Sequence, residues 1–105
     1  MTILATAYQQ LKECELAKSQ YQFSSRWLGK GKSYYSWLKS RQAEPSIEAL
    51  TFLLLRMDRK IELLDADPDP WFPEISAHDA AILRELRASL MKELHARCVP
   101  SMDVA

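Results

Sequence analysis

Ile47, Leu50, Leu54, Met57, Ile61 and Leu64 follow one another at intervals of three and four residues without a miss. An α-helix completes a turn in about 3.6 residues, so this spacing lays all six side chains along one stripe, and no strand period fits it. Such a chain must be built around a long helix with one face in a core. The rest of the sequence agrees: Gly29 and Gly31 are the only glycines, and Leu, Ala, Glu, Lys and Arg outnumber the β-branched residues, which favours helix elsewhere too. The expected fold class is all-α. With 105 residues, 48% of them hydrophobic and 27% charged, the chain has the size of one domain able to bury a core without disulfides or metal, and it lacks the composition of a disordered segment.

The same periodicity predicts four more helices. Leu4, Ala7, Leu11 and Cys14, widened by Tyr8, mark a helix over residues 2–18 that turns Cys14 into the core. Ser19 is a suitable N-cap for a short helix over 20–28, with Phe23 and Trp27 on one face, and Gly29 ends it in a left-handed conformation. Tyr35 and Leu38 anchor a third helix over 32–41. Pro45 blocks its continuation, and Ser46 caps a fourth over 47–64. The segment DADPDPWFPE is too rich in prolines and acids for a helix and reads as a strap, pinned by Trp71 and Phe72. Beyond it Ser76 and Asp79 form a capping box for a fifth helix over 77–97, which carries Leu83, Leu86, Leu90 and Leu94. The implied organisation is a helical body over 1–64, an acidic proline-rich linker over 65–75, and a C-terminal amphipathic helix and tail over 76–105.

The formal net charge of zero conceals a division along the chain. Residues 18–60 hold nine basic side chains against three acidic ones, a balance of +6, whereas residues 1–17 carry −1 and residues 61–105 carry −5. A basic middle beside an acidic tail suggests that one segment meets a polyanion while the other stays solvated or faces a partner. Cys14 and Cys98 share no CxxC spacing and read as thiols of a reducing compartment; with no secretory pattern at the N-terminus, the cytoplasm is expected. Uninterrupted apolar runs such as Phe52 to Leu55 are far too short to span a membrane. His95 and Cys98 lack a second pair of ligands, and no Ser/His/Asp set, P-loop or dinucleotide fingerprint is present. Neither a metal site, a cofactor nor an enzyme is expected.

Residues 19–57, SQYQFSSRWLGKGKSYYSWLKSRQAEPSIEALTFLLLRM, carry the most information. This stretch resembles the helix-turn-helix of the Xre and lambda-repressor-like family. Gly29 falls on the family's turn glycine, Gly31 on its N-cap, and Tyr35 and Leu38 on the two core positions of its recognition helix; Pro45, Ser46 and Leu50 fit its P-S-x-x-x-L opening of the next helix. Lys39 and Arg41 stand where many members carry an acid and a glycine, and Ser24 where Leu is usual, with Phe23 beside it to supply bulk. The resemblance implies that Lys32, Ser33, Ser36 and Trp37 face outward and reach base edges, flanked by Tyr34. It likewise implies that Lys30, Gly31, Lys39 and Arg41 meet the phosphate backbone.

The resulting expectation is a sequence-specific protein that binds double-stranded DNA, a small transcriptional regulator acting as a homodimer paired through its C-terminal helix, because one short helix reads too few base pairs alone. The rival from another class is a protein-interaction module on a helix-turn-helix scaffold, of antitoxin or phage-accessory type, in which Tyr34 and Trp37 hold a protein partner.

Overall fold

The computed structural model describes the backbone of residues 3–103 and the side chains of residues 3–98. Among these residues the chain is all-helical, without a strand. The elements are α1 (Ile3–Glu13), α2 (Gln20–Gln22) running directly into a π-helical turn (Phe23–Trp27), α3 (Tyr34–Arg41), α4 (Ile47–Ala66) and α5 (Pro73–Asp103). They fall into two units, Met1–Arg56 and Met57–Ala105. The division lies inside α4 rather than at the proline-rich strap.

The first unit buries Leu4, Ala7 and Leu11 of α1 together with Phe23, Trp27, Leu28, Tyr35, Leu38 and Leu50. The rings of Tyr8, Phe23 and Tyr35 meet one another with centroids 5.2–5.5 Å apart; such pairs contribute about 0.5–1.5 kcal/mol beyond their area. Trp27 is packing, as its position on the inner face suggests, and its indole N–H donates to the Leu16 carbonyl at 3.2 Å. α1 stops at Glu13, well short of residue 18. Glu15 adopts a left-handed φ of 61°, and the Leu16 and Glu15 amides turn back onto the carbonyls of Leu11 and Lys12 at 2.8 and 3.0 Å. This is the helix-ending motif usually made with glycine. Cys14 therefore sits half-buried in a turn instead of in the core.

The long stripe of α4 holds in part. Leu50 and Met57 are buried and Leu54, Ile61 and Leu64 half-buried, but Ile47 is exposed and Leu53 joins the fully buried set. A pattern near 3.5 residues drifts round a straight helix of 3.6, which moves the ends of the stripe out of the core.

In the second unit the end of α4 runs antiparallel to α5, tied by the ion pairs Asp58–Arg87 and Asp65–Arg84. α5 begins at Pro73, four residues before the expected start. Proline at the first helical position lacks only an amide that would be unpaired there. Ser76 consequently lies inside the helix, and its hydroxyl accepts the Asp69 amide at 2.9 Å. Asp69 Oδ1 in turn accepts the amides of Trp71 and Phe72 at 2.8 and 3.0 Å. Asp69 and Ser76, not Ser76 and Asp79, shape this entry. Trp71 is 83% exposed and Phe72 also faces solvent, so the strap is held by its aspartate rather than by its aromatics. Leu83, Leu86 and Leu90 are buried within the single chain and Leu94 is half-buried. The stripe expected to pair two chains is thus already covered.

Candidate nucleic-acid interface

A helix of three residues cannot persist by itself. α2 is held at its start by reciprocal caps: Ser19 Oγ accepts the Gln22 amide at 3.1 Å, and Gln22 Oε1 accepts the Lys18 amide at 2.7 Å. From Phe23 the coil widens, with the Leu28 amide reaching five residues back to the Phe23 carbonyl at 3.1 Å. The widening turns both Phe23 and Ser24 inward, and both are fully buried. Phe23 supplies the apolar bulk. Ser24 Oγ accepts the amide of Tyr35 at 3.0 Å, so a side chain of the preceding helix caps α3. Ser33, which occupies the N-cap position of α3, makes no side-chain cap bond of its own.

The turn between the two helices needs one of its glycines and leaves the other unexplained internally. Gly29 has φ +65°, and a Cβ there would stand 2.8–2.9 Å from the Phe52 ring. The left-handed backbone favours glycine, and the Phe52 ring where it stands leaves no room for a Cβ. Gly31 lies outside the left-handed region, and nothing comes within 4 Å of a Cβ placed on it.

α3 starts at Tyr34 rather than at residue 32, so Gly31 is not its N-cap, and Lys32 and Ser33 are exposed in the turn leading into it. Tyr35 and Leu38 are buried as expected. Ser33, Ser36, Trp37, Ser40 and Arg41 follow at helical spacing and share the opposite side. Trp37 is 47% exposed, and the Arg41 guanidinium lies 5.3 Å from its ring centroid, a cation–π contact that holds a flat, cationic surface outward. Ser36 is half-buried, its hydroxyl donating to Gln20 Oε1 at 3.1 Å. This bond ties the outer faces of α2 and α3 together. Gln20 is a residue the sequence did not single out: its partner lies 16 positions away, and only tertiary structure pairs them.

Several expected contacts are committed inside the protein. Lys30 Nζ pairs with Glu48 at 3.2 Å and stands 5.9 Å from the Tyr34 ring centroid. The Tyr34 hydroxyl accepts the Ser46 amide at 3.1 Å, which makes Tyr34 a brace between α3 and α4. The helix-start amides of Tyr34 and Tyr35 bond to the Gly31 carbonyl and to Ser24, so these two are not free for phosphate. Lys39 is two residues from Trp37, about 200° round the helix, and its ammonium lies 5.2 Å from the Tyr35 ring centroid. It faces away from the surface formed by Trp37 and Arg41. Of the nine expected contacts, Ser33, Trp37 and Arg41 remain outward at one helical phase with Ser36 at their edge, and Lys32 and Gly31 are exposed in the turn before them.

A sequence profile of one family matches residues 4–103. The chain belongs to DUF6626, a family of unknown function. No curated protein and no solved structure matches it. In this DUF6626 member, burial, and after it the adjoining Tyr8, hold the Tyr35 phenol above its ordinary value. Tyr35 is therefore a neutral ring beneath Lys39. Among the described residues of the DUF6626 chain, no group of three or more His, Cys, Asp or Glu is arranged to hold a metal ion, and no helix is long and apolar enough to cross a membrane.

Proposed function

We propose that this protein binds double-stranded DNA sequence-specifically through the outer side of α3 and the turn before it, acting as a small transcriptional regulator that works in pairs. The observation that carries the reading is the contrast across α3. Tyr35 and Leu38 lock one side into the core, while Ser33, Trp37 and Arg41 stay outward at one helical phase and Lys32 is exposed in the preceding turn, beside a glycine with no internal need to be one. The Xre-like spacing of Gly29, Tyr35, Leu38, Pro45 and Ser46 and the +6 balance of residues 18–60 support the same reading. In it Lys32 and Ser33 donate to base edges, Trp37 packs on thymine methyls or sugars, and Arg41 meets phosphate. Open space at Gly31 admits the backbone close to a phosphate. Such a protein works in the cytoplasm, where the thiols of Cys14 and Cys98, not joined in a disulfide, stay reduced.

The test is a salt titration of binding to random and selected duplexes. Phosphate contacts give a linear fall of log affinity with log salt. Lys32→Ala should cost about 1–3 kcal/mol on the selected site, whereas Arg41→Ala should weaken all sequences alike and reduce the salt slope by about 1. A response flat in salt overturns the proposal and favours the protein-interaction module, for which the exposed Trp37 ring is the natural anchor.

A further inference from the structure

The outer face of α4 in the first unit carries an open cavity and exposed apolar side chains. Glu48, Thr51, Phe52 and Leu55, at positions i, i+3, i+4 and i+7, surround a cavity of about 330 Å³ whose floor is Leu28 and Gly29. Four residues at that spacing are the hole that receives a side chain when helices pack knobs into holes. The knob is on the same face: Leu55 is 61% exposed, and Phe52 beside it is 38% exposed. A surface carrying both hole and knob is complementary to itself under a two-fold rotation.

The charges follow the same symmetry. Glu48 lies four residues before Phe52 and Arg56 four residues after it. When two such helices pair antiparallel with Phe52 on the axis, each Glu48 meets the other chain's Arg56. The Glu48 carboxylate stays 83% exposed despite its bond to Lys30. Arg56 is exposed and oriented, its Nε donating to the Arg26 carbonyl at 3.1 Å and its guanidinium 5.8 Å from the Trp27 ring centroid. The leucine stripe of α5, by contrast, is already buried.

We propose that this face of α4 pairs with the same face of a second copy of the chain, Phe52 and Leu55 packing against the partner's apolar cavity face and Glu48 facing the partner's Arg56. The pairing deepens the reading of the protein as a paired DNA binder, on which it rests, but is tested without DNA. Sedimentation of the full chain should show a concentration-dependent dimer. Leu55→Asp should render it monomeric but still cooperatively folded, with a melt that no longer depends on protein concentration, since Leu55 lies outside the core. Glu48→Arg and Arg56→Glu should each weaken dimerisation about tenfold, and the double variant should restore it. A monomer at every soluble concentration, a dimer indifferent to Leu55→Asp, or single reversals that the double does not rescue would each overturn the proposal. A salt-dependent grip on random duplex by a strictly monomeric chain sinks the pairing and leaves the DNA reading standing; a dimer with no affinity for DNA does the reverse.

Discussion

The two sides of α3 differ in what fixes them. On the inner side nearly every group has an internal partner: Leu38 is in the core, the Tyr35 ring meets Tyr8 and Phe23, and the Tyr35 amide is capped by Ser24. On the outer side the Trp37 ring and the Arg41 guanidinium meet each other, and Lys32 and Ser33 face solvent. Stability should therefore depend on one side and recognition on the other, and substitutions can separate the two.

The largest expected effect is on the inner side. Leu38→Ala removes a buried leucine and should cost about 2–5 kcal/mol of unfolding free energy, read by denaturant titration; a variant that melts like the parent would show that this side does not carry the fold. Next comes the pair of glycines. Gly29→Ala forces a left-handed alanine against the Phe52 ring and should cost about 1–3 kcal/mol from the backbone alone. Gly31→Ala meets no atom and should leave the melt unchanged while weakening DNA binding. Equal melts for both variants would erase the distinction between them. Ser24→Ala strands the Tyr35 amide in the core and should cost about 1–3 kcal/mol, with hydrogen exchange accelerating first at the start of α3.

The smallest effect is one of pH. Because the folded phenol of Tyr35 titrates above its ordinary value, the unfolded chain loses that proton first. Tyr35 thus favours folding less and less as pH rises through about 10. Tyr35→Phe should flatten that part of the alkaline stability profile and leave the neutral region's slope unchanged. An unaltered alkaline limb would assign the loss to other groups.

Much of this arrangement was legible in the sequence. The three-and-four spacing at Leu4, Ala7 and Leu11, at Tyr35 and Leu38, and at Leu83, Leu86 and Leu90 located the helices and their inner faces, because burial of a stripe is a local, periodic demand. Ser19, Gly29 and Ser46 took the capping and turning roles their chemistry suits. Helix ends made by unusual residues escaped notice: Glu15 and Gln42 adopt the left-handed conformation in place of glycine, and Asp69 rather than Ser76 and Asp79 governs the entry to α5. Those choices depend on whole networks of amides and not on one favoured residue type.

The all-helical class, the phase of α3 and the concentration of basic charge in the middle of the chain follow from residue order alone. Which cations face outward depends instead on how the helices pack. Lys30 is drawn to Glu48, Lys39 is turned over Tyr35, and Arg41 is left outward on Trp37. A lysine reads the same wherever it stands in a sequence; its partner depends on which faces packing brings within a few ångströms, and attraction between charges becomes selective only at that range.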